Sequence, residues 1–310
     1  MSTVSTFESE YAQVTQGCGL IDRSERGKLA LTGTDAKAFL QGQVSNDVES
    51  LTSGHGCYAA FLTPKGKMLG DLRVLDTGEE LLLDTERVSL QELFNLIRRF
   101  SLGYQVQLHK RTLECGLLSL VGPRADDMLS TPPGAAEHDH VVTPLGRAIR
   151  TNAGIDLLCP AESVDAVRST LLAAGAVEVG EEALECLRIE RGRPRYGLDL
   201  DDSVIPQEAG LNERAVSFTK GCYVGQETVA RLFYRGKPNR QLRGLRSAVP
   251  IAPGAPLSYG DREVGRVTSA VVSPRFGPIG LGFVRREVAV GEIVAAAEGT
   301  QAEVVELPFR

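Results

Sequence analysis

Hydrophobic and polar positions alternate in short segments along the first third of the chain, and the period of the alternation changes between that of a strand and that of a helix. Runs with a period of two predict strands, and Phe39 and Leu40 lie inward on a helix that begins at Thr34 or Asp35. The predicted elements are a strand at 28–31, this first helix, strands at 57–63 and 68–75 joined by a turn at 64–67, a strand at 80–84, a helix from Ser89 and a strand at 104–109.

A second set of elements follows in a similar order. It comprises strands at 113–121, 146–151 and 155–159, a short helix after Pro123, and a helix at 162–174 ended by Gly175. Both sets show the order strand, helix, strand, strand, helix, which is typical of a ferredoxin-like unit that occurs twice. The two halves share no residue-level identity, so the repeat rests on the pattern alone.

The remainder of the chain differs in character. A helix is predicted at 181–191, and the segment that follows, up to 240, has little periodicity. From Gln241 onward the pattern predicts short strands at 264–272, 279–284, 292–297 and 302–307. The predicted fold class is therefore α+β, with a domain at 1–240 (halves at 20–110 and 111–190, then segment 191–240) and a small C-terminal β-barrel domain at 241–310.

Composition excludes several classes of protein. The 310 residues are 42% hydrophobic and 24% charged, which is typical of a globular protein and excludes a largely disordered chain. The net charge of −6 argues against a protein that coats DNA. No apolar run approaches the roughly 18–20 residues that span a membrane, and residues 1–20 carry no Lys or Arg, so neither a membrane span nor a secretory signal is expected. The predicted location is cytoplasmic.

Cysteine and histidine give little support for a metal site. The six cysteines form no Cys-x-x-Cys motif, and all except Cys222 are expected to act as small buried apolar residues. The sequence His138-Asp139-His140 lacks a third ligand, so no metal is predicted.

Positive charge is concentrated between Arg188 and Arg246. This window holds 12 Lys and Arg residues but only 7 Asp and Glu residues, although the chain as a whole is acidic. A basic region in an acidic protein is a candidate site for an anionic ligand, and the alternative is a solvated loop with surface ion pairs. The region lacks the aromatic pattern of an RNA-binding motif, so direct contact with RNA is not expected.

One loop within this region has the features of a reactive cysteine. Gly221 and Gly225 bracket Cys222 and Tyr223, and glycine allows the sharp turns that present a thiol. Lys220 would favour the thiolate of Cys222. A helix is predicted to begin at Gln226 and Glu227. The alternative is a buried structural cysteine between two turns.

This loop resembles the signature K-G-C-Y-x-G-Q-E-x3-R of the YgfZ family of folate-binding proteins that support iron–sulfur enzymes. The chain is also similar, over most of its length, to the wider folate-dependent aminomethyltransferase superfamily. The matching positions are Lys220, Gly221, Cys222, Tyr223, Gly225, Gln226, Glu227 and Arg231 for the signature, and 39–48, 64–68, 188–190 and 205–211 for the superfamily.

The resemblance implies two ferredoxin-like halves and a barrel arranged as a ring, with tetrahydrofolate or a one-carbon derivative in a central cavity. A carboxylate pairs well with the adjacent ring N–H and amino groups of a pterin, apolar or aromatic walls suit its flat faces, and cations suit the glutamate tail. The candidate ligands are Glu208 and Glu190 for the pterin, Tyr58, Met68 and Tyr196 for the walls, and Arg231, with Arg235 behind it, for the tail.

The transferases of this superfamily use a tandem Asp-Asp, which here reads Gly70-Asp71. Asp71 is a further candidate ligand, and the missing acid argues against aminomethyl transfer. The leading hypothesis is an accessory protein that binds tetrahydrofolate and assists assembly or repair of iron–sulfur clusters, with Cys222 and Lys220 as its functional residues. Its expected partners are folate and iron–sulfur client enzymes or assembly factors, and neither DNA nor a membrane. The alternatives are a folate-dependent aminomethyltransferase or demethylase and a tRNA-modification factor.

Overall fold

Three sheets carry the fold, and the computed structural model describes residues 6–310. The helices are α1 (Thr6–Gln16), α2 (Ala36–Gln43), α3 (Leu90–Phe100), α4 (Val164–Ala173), α5 (Glu181–Glu190), α6 (Asn212–Ala215) and α7 (Gln226–Arg235). The strands are β1 (Gly19–Asp22), β2 (Gly27–Thr32), β3 (His55–Leu62), β4 (Met68–Asp76), β5 (Leu81–Thr85), β6 (Gln107–Lys110), β7 (Cys115–Val121), β8 (His140–Thr143), β9 (Gly146–Arg150), β10 (Gly154–Pro160), β11 (Val177–Glu178), β12 (Arg240–Ser247), β13 (Pro256–Tyr259), β14 (Arg262–Ser273), β15 (Gly277–Arg285), β16 (Ile293–Ala295) and β17 (Gln301–Val305).

The first sheet has the order β3-β4-β5-β2-β6 and is antiparallel throughout. The second has the order β11-β1-β7-β10-β9-β8, in which only the β1–β11 pair is parallel. Strands β12 to β17 form a closed barrel. The predicted α+β class with a C-terminal β-barrel is confirmed.

Each of the first two sheets has one face covered by helices. On the first sheet, α2 and α3 bury Phe39, Leu40, Leu93 and Ile97 against the apolar face. On the second sheet, α4 packs through a smaller apolar cluster. Burial of each large side chain contributes about 1.5–3 kcal/mol, so these clusters fix the position of both sheets.

The opposite faces of the two sheets meet each other. Ala30, Leu75 and Leu82 of the first sheet pack against Ile149 and Leu158 of the second. Beside this small apolar contact the interface contains the polar side chains of Arg73, Asp84 and Asp156, which is unusual for an interface between two sheets. The polar part of the interface is the region that matters for function.

Some elements differ from the sequence prediction. Strand β1 joins the second sheet, although the predicted first half begins near residue 20. Strands β12 and β13 complete the barrel but were not predicted. In β12 three arginines interrupt the apolar pattern. The strand has two large apolar residues, Leu242 and Leu245, and both are buried.

The segment between α5 and β12 has a packed core despite its weak periodicity. Leu200, Val204 and Leu211 are buried in one cluster with Met68 of the first sheet and Phe283 of the barrel. This segment therefore connects the first sheet to the barrel. No helix within residues 6–310 has the length and apolar character that a membrane span requires.

Candidate functional site

The polar face of the first sheet carries a line of ionisable side chains. Tyr58 lies opposite Arg73, and Arg73 lies opposite Asp84, on neighbouring strands. Asp71 is two residues before Arg73 on β4 and so shares its face. The Tyr58 hydroxyl donates a hydrogen bond of 2.5 Å to Oδ2 of Asp71. The two side chains thus form one acid–phenol pair.

The environment of Asp71 raises the pKa of its carboxyl group towards neutral pH. Asp71 is only 5% exposed, and its pKa is raised to about 6, chiefly by burial and to a smaller extent by the Glu86 carboxylate. The Tyr58 hydrogen bond and the charges of Arg26 and Arg214 act in the opposite direction. A carboxyl group of this kind can exchange a proton in the physiological range.

A cavity of about 220 Å³ lies in front of this pair, between the two sheets. Its wall includes Tyr58, Asp71 and Tyr196, together with Arg214 and His138. Burial, and then nearby carboxylates that include Asp71, raise the pKa of Tyr196. The Arg214 guanidinium lies over the Tyr58 ring, 4.9 Å from its centroid. Aromatic, acidic and basic groups therefore meet in one enclosed space.

A buried ionic network holds the two sheets together beside the cavity. Asp84 pairs with Arg26 at 2.9 Å and with Arg73 at 2.6 Å. Arg73 also reaches across to Asp156 of the second sheet at 2.6 Å, and Asp156 accepts a hydrogen bond from Ser119. Every charge in this network therefore has an opposite partner.

Glu137 lies between two arginines at the mouth of the cavity. Its carboxylate is 3.3 Å from Arg193 and 3.5 Å from Arg214. Burial alone would raise its pKa, but the two guanidinium groups outweigh burial and lower it. Two guanidinium groups share one carboxylate here, so they can also bind a further negatively charged group.

A groove of about 520 Å³ adjoins the cavity and lies beside the barrel. It shares Arg191, Arg193, Pro194 and Arg214 with the wall of the cavity. The cavity and the groove are therefore separated by only a few side chains, most of them basic.

Three of the predicted folate contacts, Tyr58, Asp71 and Tyr196, converge on the cavity. Met68 does not reach it, because its side chain is fully buried in the core beside the barrel. Glu190 is also elsewhere. Its carboxylate accepts hydrogen bonds of 2.8 Å from Tyr11 and 2.5 Å from Ser273, and it lines a different pocket. These contacts satisfy Glu190 within the protein and place it away from the cavity, and its assignment to the pterin stays a prediction.

Glu208 lies in the groove rather than in the cavity. Its carboxylate accepts the backbone N–H of Ile205 at 3.1 Å and pairs with Arg240 at 3.2 Å, so it stabilises its own turn. Arg231 and Arg235 are exposed on α7 and are absent from the walls of the cavity and the groove. The geometry gives none of these three residues a contact with a ligand in the cavity.

The Lys220 side chain binds backbone carbonyls of the first half. Its Nζ donates to the backbone carbonyls of Gln41, Val44 and Asn46 at 2.6, 2.8 and 2.8 Å. Burial lowers its pKa to about 8. The ammonium group therefore binds the backbone of the first half, and its effect on the Cys222 thiol stays a prediction.

The rest of the signature loop combines structural residues with an exposed thiol. Tyr223 is buried, and Gly225 has φ +85°, where an added Cβ would lie 2.6 Å from the carbonyl oxygen of Thr63. Gln226 and Glu227 begin α7, and Gly221 and Cys222 are exposed. The loop is thus anchored on both sides of Cys222, and the thiol faces solvent outside the cavity.

Replacing Lys220 by methionine is expected to lower the free energy of unfolding by about 2 kcal/mol, because three partly buried backbone carbonyls lose a charged donor. Urea denaturation followed by circular dichroism measures this change. Lys237→Met, at an exposed lysine beyond α7, is the matched control and should have little effect. A stable Lys220→Met protein whose Cys222 reacts more slowly with iodoacetamide would instead support activation of the thiol by Lys220.

Several residues of the cavity were not predicted from the sequence. Arg73 could have been predicted, since it lies two positions after Asp71 on a predicted strand. Arg214 could also have been predicted, since it belongs to the basic region. Glu137 and His138 lie in an irregular segment; Glu137 gave no signal, and His138 was considered only as a metal ligand, because only the docking of the second sheet brings both to the cavity. The neighbouring His140 and Asp139 point elsewhere and contact Arg147 and His55.

Comparison with known proteins agrees with this architecture. Residues 2–220 match the family described as the GCVT N-terminal domain, and residues 240–310 match the glycine cleavage T-protein C-terminal barrel domain. The chain is 30% identical to an aminomethyltransferase from Rubrobacter xylanophilus, over 98% of this chain and 86% of that protein. It is 29% identical to a chloroplastic protein of Arabidopsis thaliana named as a candidate transferase, over 94% of this chain and 71% of that protein.

A solved structure shows the same fold. The crystal structure of glycine cleavage system aminomethyltransferase T from Bartonella henselae superimposes with a TM-score of 0.87 at 25% identity. The match covers 98% of this chain and 89% of that chain. The similarity therefore extends over both sheets and the barrel.

Proposed function

Since the chain belongs to the glycine-cleavage T-protein family, we propose that it is a folate-dependent transferase that moves the carbon of an aminomethyl donor to tetrahydrofolate and releases ammonia. The observation that carries this proposal is the enclosed acid–phenol pair of Tyr58 and Asp71, which faces a cavity with aromatic and basic walls.

The residues present fit a folate. The cavity of about 220 Å³ is smaller than the roughly 300–1,000 Å³ of most ligand pockets, so it suits the ring system of a folate better than the whole molecule. Tyr58 and Tyr196 offer aromatic surface, and Asp71 offers a carboxylate to ring N–H groups. The adjoining groove, with Arg191 and Arg193 in its wall, suits the anionic glutamate tail.

In this proposal each group of the chain has a defined task. Bound tetrahydrofolate supplies the nitrogen that accepts the one-carbon unit. Asp71 accepts a hydrogen bond or a proton in the cavity, and Tyr58 holds its carboxylate in place. The positive charge of Arg214 stabilises the ionised form of Asp71. The apolar contact between the two sheets excludes water from the part of the cavity next to it.

One acid of the tandem Asp-Asp pair is missing from this chain. Its absence is a weaker argument against aminomethyl transfer in the structure than in the sequence alone. A Cβ added at Gly70 would lie 3.0 Å from Leu93 of α3, on the helix-covered face of the sheet. Neighbouring residues of a strand face opposite sides, so an aspartate at 70 would point away from the cavity. Asp71 is the acid that this strand presents to the ligand.

Two measurements test the proposal directly. Anaerobic calorimetry should show one tetrahydrofolate bound per chain. With an aminomethyl-loaded lipoyl carrier protein as donor, the protein should release ammonia only when tetrahydrofolate is present. Binding without any ammonia release would contradict the transferase and leave a folate-binding accessory protein.

The second candidate function is support of iron–sulfur enzymes, and the exposure of Cys222 on an anchored loop favours it. Phe233 and Tyr234 of α7 are also exposed nearby in the chain, and Phe233 stacks on Phe218. Such a surface suits contact with another protein.

Replacing Cys222 by alanine separates the two functions. Because Cys222 lies outside the cavity, the variant should transfer the one-carbon unit at a rate within twofold of the unaltered protein. In cells that lack their own family member, the specific activity of an iron–sulfur enzyme is the second readout. Rescue by the native chain but not by Cys222→Ala would support the second candidate, and failure of both to rescue would remove it.

A further inference from the structure

His138 is a buried histidine whose ring has no hydrogen-bond partner among the described residues. It is 7% exposed and lies in the wall of the cavity. Its Nδ1 is buried without a partner, and its Nε2 is 4.0 Å from Oε1 of Glu137, beyond hydrogen-bond distance. Buried polar atoms nearly always have a hydrogen-bond partner, so we expect this ring to bind a partner that does not belong to the chain.

The other three histidines of the chain are partnered. His55 contacts Asp139 at 2.8 Å, His109 contacts Thr32 at 2.8 Å, and His140 contacts Arg147 at 2.9 Å. Among the four histidines, His138 is thus the one whose ring has no hydrogen-bond partner within residues 6–310 at either nitrogen, whereas His140 lacks a partner at Nε2 alone.

The backbone holds His138 in place at a conformational cost. Its φ is +78°, in the left-handed region that non-glycine residues rarely adopt. Its backbone N–H donates to the carbonyl of Arg150 at 2.9 Å, which fixes the segment to β9. The His138 Cβ lies 3.1 Å from where a Cβ of Gly56 would be, on the same face of β3 as Tyr58. In this position His138 lines the same cavity as the acid–phenol pair.

Burial, helped by nearby guanidinium groups, favours the neutral form of the His138 ring. Burial, followed by the guanidinium group of Arg73 and, to a smaller extent, that of Arg214, lowers the pKa of His138 to about 4, while the carboxylates of Glu137 and Asp84 act in the opposite direction. A neutral imidazole offers one donor and one acceptor. It therefore suits a ligand with neutral polar groups at this point of the cavity, such as the ring nitrogens and amino group of a pterin.

We propose that His138 is a direct hydrogen-bonding contact of the folate ring system in the cavity. This inference rests on the proposed function, since it takes folate as the ligand. It adds a binding residue from the second half of the chain to those that the first sheet provides.

Two variants respect the unusual backbone conformation. Glycine and asparagine both tolerate positive φ, so His138→Gly removes the ring and His138→Asn keeps a short polar group. His140→Asn is the matched control, because His140 is also buried with an unpartnered Nε2 but does not line the cavity. Circular dichroism checks that all three variants fold.

The affinity for tetrahydrofolate, measured by anaerobic calorimetry, is expected to fall about tenfold in His138→Gly and to recover in part in His138→Asn. The affinity of His140→Asn should stay within twofold of the unaltered protein. In protein labelled with ¹⁵N-histidine, tetrahydrofolate should shift the ring signals that His138→Asn removes.

Two results would overturn the inference. If the unaltered protein binds tetrahydrofolate while the His138 ring signals stay fixed and His138→Gly binds equally well, the ring has no role in binding and the proposed function survives. If the unaltered protein does not bind tetrahydrofolate at all, the inference and the proposed function fail together.

Discussion

Replacement of Asp71 by asparagine is expected to lower the rate of one-carbon transfer by about 100-fold or more. Asparagine keeps the size of the side chain and still accepts the Tyr58 hydrogen bond, but it cannot take up a proton. General acid–base groups contribute about 10²–10⁴-fold to a rate, so the loss falls in that range. Initial rates of ammonia release measure the effect, and a fully active Asp71→Asn protein would exclude Asp71 from the reaction.

The pH dependence gives a second test of the same residue. If ionised Asp71 is the active form, the rate should rise with pH around the pKa of about 6 and level off above it. The Tyr58 hydrogen bond lowers this pKa, so Tyr58→Phe should move the midpoint to higher pH. The Asp71→Asn variant should lack this rise. A midpoint that Tyr58→Phe leaves unchanged would show that another group titrates.

Replacement of Asp84 by alanine is expected to have the largest effect on stability, a loss of about 3–5 kcal/mol in the free energy of unfolding. The change leaves the buried guanidinium groups of Arg26 and Arg73 without the carboxylate between them. Urea denaturation followed by circular dichroism measures the loss. The control is Asp127→Ala, which breaks an exposed ion pair with Arg124 and should cost less than about 1 kcal/mol.

Acid should weaken the same network. Burial would raise the pKa of Asp84, but Arg26 and Arg73 more than offset burial and hold its pKa well below the usual range. Below about pH 4 the unfolded chain takes up a proton at this carboxyl and the folded chain does not, so the free energy of unfolding falls as the pH falls. Asp84→Ala should show a shallower decrease over this range. Equal slopes for the two proteins would assign the acid sensitivity to other carboxyl groups.

The sequence was informative where local pattern determines structure. Phe39 and Leu40 were placed correctly inside the first half, because a helix that covers a sheet needs apolar residues at helical spacing. The closed C-terminal barrel was also predicted from short strands between glycines and prolines. Strand β12 was missed because its arginines lie at the barrel surface and obscure the two buried leucines.

The site was less accessible to sequence analysis. Tyr58 and Asp71 face the cavity because strand alternation places them there, and alternation can be read from a sequence. Glu190 and Glu208 were chosen for their charge, but charge alone does not tell whether a carboxylate is already satisfied by Tyr11 or Arg240. His138 depends on how two separate sheets dock, which no local pattern encodes.

The placement of β1 has a consequence for the order in which the protein can form. Leu20 of β1 lies opposite Leu120 of β7 in the second sheet. Strand β1 is synthesised first, so it cannot form this pair until β7 has been synthesised. At about 5–20 residues per second, a ribosome needs roughly 5–20 s to supply that partner. A fragment that stops near residue 110 would hold a complete first sheet and an unpaired β1, and it would lack Asp156 and His138. The binding cavity is therefore a late product of synthesis, and the first half is not a separable unit.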